Sequence, residues 1–265
     1  MNKKGLTGAL IAEVFGTFIL ILLGVGVVAN VGLAPRTAAS TYNWNTIAIG
    51  WCFAVIIAVY VTGGVSAHLN PAVTLAMAAK RGFPWANVVP YIIAQMIGAF
   101  LGAFAVYLVY REGMIAAGLP NIYTSGAGSV FEAAYWGDSA PRTALGSYSL
   151  FNASVAEFFG TCILLWAVLA SGDSRNLGLK HNLGNFLVGF AVLAVGLSLS
   201  GPSGYSINPA RDLGPRLFGL LAGTQNLFDG LYWLIPPVLV PAVAGPAAIF
   251  MYDWFISPFL PEKAA

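Results

Sequence analysis

Two short boxes carry the polar chemistry of this 265-residue chain: Asn70-Pro71-Ala72 and Asn208-Pro209-Ala210, the second followed directly by Arg211. An asparagine amide donates and accepts hydrogen bonds without ionising, so such a pair can orient a neutral, oxygen-bearing molecule and leave its protons where they are. Asn is also a favoured helix N-cap and Pro is tolerated at the first helical position, so each box reads as a helix start. One Asn-Pro-Ala in a soluble protein would mean no more than a capped helix. Here there are two, each behind a stretch rich in Gly and Ser: Gly63-Gly64-Val65-Ser66-Ala67 and Gly201-Pro202-Ser203-Gly204.

The elements that position these boxes lie in a membrane. Hydrophobic residues make up 58% of the chain and charged ones 8%, against roughly 25% charge in a soluble domain. Six stretches are about long and apolar enough to cross a bilayer: Leu6–Asn30, Thr46–Thr62, Trp85–Tyr110, Leu150–Ala170, Leu183–Ser200 and Leu231–Met251. They are apolar throughout rather than alternating, which predicts helices and sets a transmembrane barrel aside. The helix opened by Asn70 continues to Lys80, about 16 Å at the α-helical rise, roughly half a hydrocarbon core. It is a half-helix, and Asn208 opens another running to about Leu221.

The chain is duplicated. Ala12-Glu13-Val14-Phe15-Gly16-Thr17 recurs as Ala156-Glu157-Phe158-Phe159-Gly160-Thr161, and the two boxes form a second matched pair. Each half holds three spans, an odd number, so the second half is inverted relative to the first: residues 1–110, then a connector at 111–149, then 150–265. The two half-helix N-termini should therefore meet near the midplane. Irregular backbone at that depth is tolerated where it is packed in protein or lines a cavity, so the Gly/Ser-rich stretches predict a polar passage.

Charge reports orientation, not a polyanionic partner. No basic stripe exists for nucleic acid to follow. With both ends on one side, Lys3, Lys4, Lys80, Lys180 and Lys263 all fall on the terminal side, which the positive-inside rule makes cytoplasmic. Lys3 and Lys4 precede an apolar run too long for a signal peptide and interrupted by Glu13, so that run is read as an uncleaved first span. Cys52 and Cys162 both lie within spans, and their spacing supports neither a disulfide framework nor a zinc site. No nucleotide-binding motif appears, so transport through such a chain would be passive.

The paired boxes, the Ala-Glu repeat and Ser206-Ile207-Asn208-Pro209-Ala210-Arg211-Asp212-Leu213-Gly214-Pro215-Arg216 resemble the aquaporin and glycerol-facilitator family over nearly the whole chain. The resemblance implies an all-α membrane fold of six transmembrane helices and two re-entrant half-helices. It further implies a homotetramer with one pore per subunit and no cofactor or metal. It marks Trp51, Gly196, Tyr205 and Arg211 as a selectivity filter, with Gly where a water-only relative carries His. That choice, with Asp212, Arg216 and Pro236-Pro237, resembles the glycerol branch, whose solutes are glycerol, water and small neutral molecules. Tyr205 stands where Phe is commoner. The family's Ser-Gly-x-His before the first box is here Ser66-Ala67-His68, one residue shorter.

Physical roles follow for each group. Two opposed helix N-termini bring about half a positive charge each to the channel centre and repel cations, hydronium included. Asn70 and Asn208 donate to a passing oxygen and interrupt a proton relay. Carbonyls of Ala67, His68 and Leu69, and of Tyr205, Ser206 and Ile207, line one wall as acceptors, opposite an apolar wall. Glu13 and Glu157 are expected to hold the N–H groups of these loops, keeping the carbonyls outward. Arg211 is an intramembrane cation, whose bland alternative is an ion pair with Asp212. The compact chain fits a bacterial inner (plasma) membrane.

Three other readings compete. The first is a water-selective pore, and the second a membrane-junction protein, against which an open Gly-lined filter with Arg211 argues. The third is an intramembrane serine protease using Ser203 of Gly201-Pro202-Ser203-Gly204 with His68 as base, which leaves the duplication unexplained. Ser203→Ala should abolish peptide cleavage in a protease and leave a channel conducting; a proteolysis assay beside a solute-flux assay on the same variant separates the two.

Overall fold

The computed structural model describes residues 5–33, 43–117, 148–177, 183–224, 227–228 and 230–262. Eight α-helices and no strand occur among these residues, in the same order twice over. The first set is α1 (Leu6–Leu33), α2 (Trp44–Thr62), α3 (Pro71–Lys80) and α4 (Val88–Ala117, entered through a 3-10 turn at Trp85–Asn87). The second is α5 (Leu150–Gly172), α6 (Gly184–Ser198), α7 (Pro209–Leu221) and α8 (Val240–Phe255). Among the described residues five segments are long and apolar enough to cross a membrane, Leu6–Leu33, Trp44–Thr62, Trp85–Ala116, Leu150–Gly172 and Ile235–Phe259; α6 is a shorter apolar helix.

Several boundaries differ from the sequence reading by a few residues, and two of the differences bear on the fold. Helix α4 runs seven residues past Tyr110, into what reads as connector; residues 118–147 of that connector lie outside the described residues. So do Lys3, Lys4, Lys180 and Lys263, four of the five lysines used to orient the chain. The last span begins with turns at Leu231–Leu234 rather than regular helix, followed by a π-helical turn at Ile235–Leu239. Pro236 and Pro237 lack N–H donors and cannot extend an α-ladder, and the N–H of Leu239 reaches back five residues to the carbonyl of Leu234 at 3.0 Å.

Local chemistry sets the helix ends. Asn43 caps α2, its side chain accepting from the N–H of Asn45 at 3.0 Å while the hydroxyl of Thr46 accepts from the Asn43 N–H at 3.4 Å. Helix α3 stops at Arg81 because Gly82 turns left-handed (φ 75°) and Pro84 follows two residues later. The stop is anchored: Arg81 makes a bidentate pair with Asp253 near the end of α8, at 2.9 and 2.5 Å, and Lys80 joins the same carboxylate at 3.2 Å.

The halves interlock. Within each repeat the first helix packs against the last, α1 on α4 and α5 on α8. Each half-helix then docks on the last span of the other repeat, α3 on α8 and α7 on α4, while α2 packs against α6 across the middle. Glycines allow the close approaches, as expected where helices associate without a hydrophobic drive between them. A Cβ built on Gly98 of α4 would lie 3.0 Å from Cβ of Thr17 and 3.1 Å from N of Phe18 on α1; one turn on, a Cβ on Gly102 would lie 2.7 Å from that of Ile21. Gly214 lets α7 seat on Ala99 and Phe100, and Gly245 lets α8 seat on the carbonyl of Ala72. Large apolar side chains such as Ile11, Phe53, Val89 and Val243 point away from the bundle, where lipid is their solvent.

Gly98→Leu should therefore lower the thermal stability of the detergent-solubilised protein by an overpacking cost of about 1–3 kcal/mol or more. Gly26→Leu, whose added Cβ meets nothing within 4 Å, should not. A thermal-shift measurement on the two variants checks the contrast.

Candidate functional site

The backbone ahead of each box is the feature from which the site is built. Leu69 (φ 52°), Tyr205 (φ 42°) and Ile207 (φ 45°) are left-handed, a conformation that costs a non-glycine residue of order 1–3 kcal/mol unless its surroundings impose it. Two buried carboxylates supply those surroundings. Oε1 of Glu13 accepts from the N–H of His68 at 2.8 Å and the Ser66 hydroxyl at 2.6 Å. Its Oε2 accepts from the N–H of Leu69 at 2.7 Å and from Gln95 Nε2 at 2.8 Å. Glu157 accepts from the N–H of Ser206 at 2.7 Å and of Ile207 at 2.6 Å. Neither carboxylate has any exposure. With the N–H groups of His68, Leu69, Ser206 and Ile207 held on the glutamate side, the two loops present their opposite face, and Ala67, His68, Leu69, Tyr205, Ser206 and Ile207 all line one cavity of about 140 Å³.

The glutamate bonds settle the register of the shortened first loop: His68 answers to Ser206 and Leu69 to Ile207. Ser203-Gly204-Tyr205-Ser206 keeps two residues between its serines, whereas Ser66-Ala67-His68 keeps one between Ser and His. The missing residue falls where the second loop is left-handed at both Gly204 and Tyr205. Among the described residues of the first loop only Leu69 has positive φ, so the first loop reaches its glutamate without that double turn.

Each box behaves as a capped helix start. The side-chain oxygen of Asn70 accepts from the N–H of Ala72 at 2.8 Å; that of Asn208 accepts from Ala210 at 3.0 Å and Arg211 at 3.2 Å. Pro71 and Pro209 occupy the first helical positions, and with Ala72 and Ala210 they are buried behind the asparagines. This fixes which way each amide faces, and the nitrogens cross between the repeats. Asn70 Nδ2 donates to the Ile207 carbonyl and Asn208 Nδ2 to the Leu69 carbonyl, both at 2.8 Å. One N–H on each amide is thereby used, and one remains on each for an oxygen in the cavity that both residues line. The carbonyls of Leu69 and Ile207 likewise keep one lone pair each.

Beyond Asn208 the cluster of Trp51, Gly196, Tyr205 and Arg211 comes together. The Arg211 guanidinium lies over the Trp51 ring, 4.6 Å from its centroid. A Cβ built on Gly196 would lie 3.0 Å from Cζ of Tyr205 and 3.2 Å from Cβ of Ala48, so Gly196 leaves a gap that any side chain would fill. Asp212 stands 4.0 Å from Arg211, but its carboxylate is engaged by Arg216, whose Nε bonds Oδ1 and whose Nη1 donates to the Leu227 carbonyl at 2.6 Å. Three buried polar atoms in this cluster have no hydrogen-bond partner among the described residues: Trp51 Nε1, Tyr205 OH and Arg211 Nη1. Buried polar groups are almost always paired, so three such atoms in one cluster mark a place where a water or a solute hydroxyl would bind.

The facing wall, expected to be apolar, consists of residues the sequence reading did not single out: Leu20, Val55, Val59, Val73, Met77, Leu164, Val168, Val188 and Val192. The signal was present in helical spacing. Leu20 and Leu164 each lie seven residues after the repeated glutamates, Val55 and Val59 lie four and eight after Trp51, and Val192 and Val188 lie four and eight before Gly196. Met77 and Val168 also border a wider space of about 700 Å³ with Arg81, Arg175, Tyr252 and Asp253, so the cavity opens toward the charged end of the bundle. Ser203 and His68 do not face each other as a nucleophile and base would. Ser203 Oγ lies 3.3 Å from the N–H of Tyr205, and His68 Nδ1 lies 3.1 Å from Thr74 Oγ1, with its ring packed against those of Phe83 and Tyr91.

Known proteins are similar to this chain over nearly all of its length. A glycerol uptake facilitator protein of Streptococcus pneumoniae (strain R6) is 38% identical over 250 residues, covering 93% of this chain and 98% of its own. A probable glycerol uptake facilitator protein of Thermotoga maritima is 38% identical over 249 residues, covering 92% and 97%. The crystal structure of the aquaglyceroporin from Plasmodium falciparum superposes with a TM-score of 0.82 at 30% identity, over 96% of this chain and 98% of that one. The family model for major intrinsic proteins matches residues 1–252, and the chain belongs to the major intrinsic protein family.

Proposed function

We propose that this protein is a passive channel for glycerol and similar small neutral solutes, which also passes water and excludes ions and protons. The observation that carries the reading is the trio of Trp51 Nε1, Tyr205 OH and Arg211 Nη1, none hydrogen-bonded among the described residues, beside the gap at Gly196. A polyol bears hydroxyls along one edge and carbon along the other. Its hydroxyls would complete these atoms while its carbons ride on the Trp51 and Tyr205 rings. Deeper in, the remaining N–H groups of Asn70 and Asn208 and the carbonyls of the two loops continue the polar edge, opposite the Val and Leu wall. Glycerol is named for the relatives from S. pneumoniae and T. maritima, which supports the same solute here.

Exclusion of cations rests on charge. Arg211 and the two half-helix N-termini all present positive potential to the passage, and no carboxylate is among the described residues that line it. Glu13 and Glu157 act from behind the wall, holding the loops. The assembly proposed is a homotetramer of one-pore subunits in a plasma membrane, with both termini cytoplasmic. A water-selective pore is the second reading, favoured by one feature, the Tyr205 hydroxyl, which adds a polar atom to the gap.

The test is stopped-flow light scattering on proteoliposomes. After a glycerol gradient the wild-type protein should re-swell vesicles much faster than lipid alone; water flux without re-swelling would sink the polyol assignment. Gly196→His should cut glycerol flux by about ten-fold relative to water flux, the cost of overpacking the gap by ~1–3 kcal/mol. Equal loss of both would count against the gap as the selective element. Glu157→Gln places an amide NH2 against backbone donors and loses charge-assisted bonds worth roughly 1.5–3 kcal/mol each. Lower thermal stability with lost conduction is expected, and unchanged values for both would refute the supporting role.

A further inference from the structure

Helix α2 sends a stripe to the cluster, not a single residue. Trp44, Ala48 and Trp51 are spaced i, i+4 and i+7, one face of a helix. Trp51 lies under Arg211, and Ala48 is the small residue that faces Gly196. Trp44, at the first turn of α2, touches both other walls. Its indole Nε1 donates to the carbonyl of Gly196 at 2.8 Å, and its ring meets that of Tyr205 edge-on, with centroids 5.9 Å apart at 74°.

The Gly196 carbonyl needs such a donor. It belongs to the last turn of α6, where carbonyls lack helical partners, and Gly196 has no side chain to cover it. The Ser200 hydroxyl donates to it at 2.6 Å and Trp44 supplies the second bond. Both lone pairs are thereby occupied, and the wall at Gly196 offers a passing molecule no acceptor. The bland alternative for a Trp at a helix start in a membrane protein is an interfacial anchor with its N–H toward headgroups. Trp44 instead turns its N–H inward to the cluster.

We propose that Trp44 is a specificity-determining positioning residue of the polyol passage: by sealing the Gly196 carbonyl and buttressing the Tyr205 ring, it keeps that side of the gap dry and fixed. This rests on the reading of Trp51, Gly196, Tyr205 and Arg211 as the selective cluster. Water gains from an exposed carbonyl and a polyol's carbon edge does not, so losing the seal should shift the balance toward water.

Two variants test it in proteoliposomes, with glycerol and water flux measured on the same preparation and expressed as a ratio, which does not depend on how many channels inserted. Trp44→Phe keeps a ring and removes the N–H; its glycerol-to-water ratio should fall about five-fold, the effect of one neutral hydrogen bond. Trp44→Leu removes both contacts and should fall further; where it fails to insert, Trp44→Phe alone decides. An unchanged ratio in Trp44→Phe, with both fluxes scaling together, would make Trp44 a structural anchor and overturn the proposal. A wild-type protein that passes no glycerol would instead overturn the underlying reading, and it would do so before any variant is made.

Discussion

Two side-chain hydrogen bonds cross between the repeats, from the Asn70 amide to the Ile207 carbonyl and from the Asn208 amide to the Leu69 carbonyl, and the rest of the structure is arranged to make them possible. Each asparagine must cap its own half-helix with its oxygen and reach the other repeat with its nitrogen. That requires two helix N-termini to face one another in the middle of a membrane, an arrangement of like partial charges that opposes itself. The interlocked packing offsets that repulsion: α3 is seated on α8 and α7 on α4, so neither half-helix can withdraw without unseating the opposite repeat. The left-handed residues Leu69 and Ile207 turn their carbonyls to the incoming amides, and Glu13 and Glu157 hold the corresponding N–H groups from behind.

The inverted repeat gives near-equivalence, and departures from it are where specificity resides in the proposed reading. Three residues after Asn70 stands Val73, on the cavity wall; three after Asn208 stands Arg211. The same helical position is thus apolar at one end and cationic at the other. Arg211 Nη1 stays 4.0 Å from Asp212, its neighbour in sequence, and has no hydrogen-bond partner among the described residues, because Arg216 one turn on engages that carboxylate. The second loop's extra left-handed turn carries Tyr205 into the gap, and the shorter first loop has no counterpart. In the proposed reading the second repeat thus supplies the selective cation, and the first an apolar residue at the matching position.

Much of this was legible in the residues. The spans, half-helices and duplication followed from apolar length, capping chemistry and the repeated Ala-Glu and Asn-Pro-Ala pairs, because membrane solvent leaves helices few alternatives. The start of the last span was misread because hydropathy does not register that Pro236 and Pro237 deny two N–H donors to the ladder. The gathering of Trp51, Gly196, Tyr205 and Arg211 came from resemblance, since nothing in local spacing says that residues from α2, α6 and the second loop share a cluster. The apolar wall and Trp44 were readable in principle by stepping three to four residues along each helix from a site residue. They were passed over because Val and Leu in a span look alike whether they face lipid, protein or a passage.

The central claim is that Trp51 Nε1, Tyr205 OH and Arg211 Nη1 are completed by the permeating solute. A high-resolution structure of the protein soaked in glycerol tests it most directly. The account predicts a glycerol molecule beside Gly196 with hydroxyls within hydrogen-bond distance of Arg211 and Trp51 and its carbons against the aromatic rings. Glycerol absent from the cluster, or seated there with its carbons toward Arg211, would contradict it.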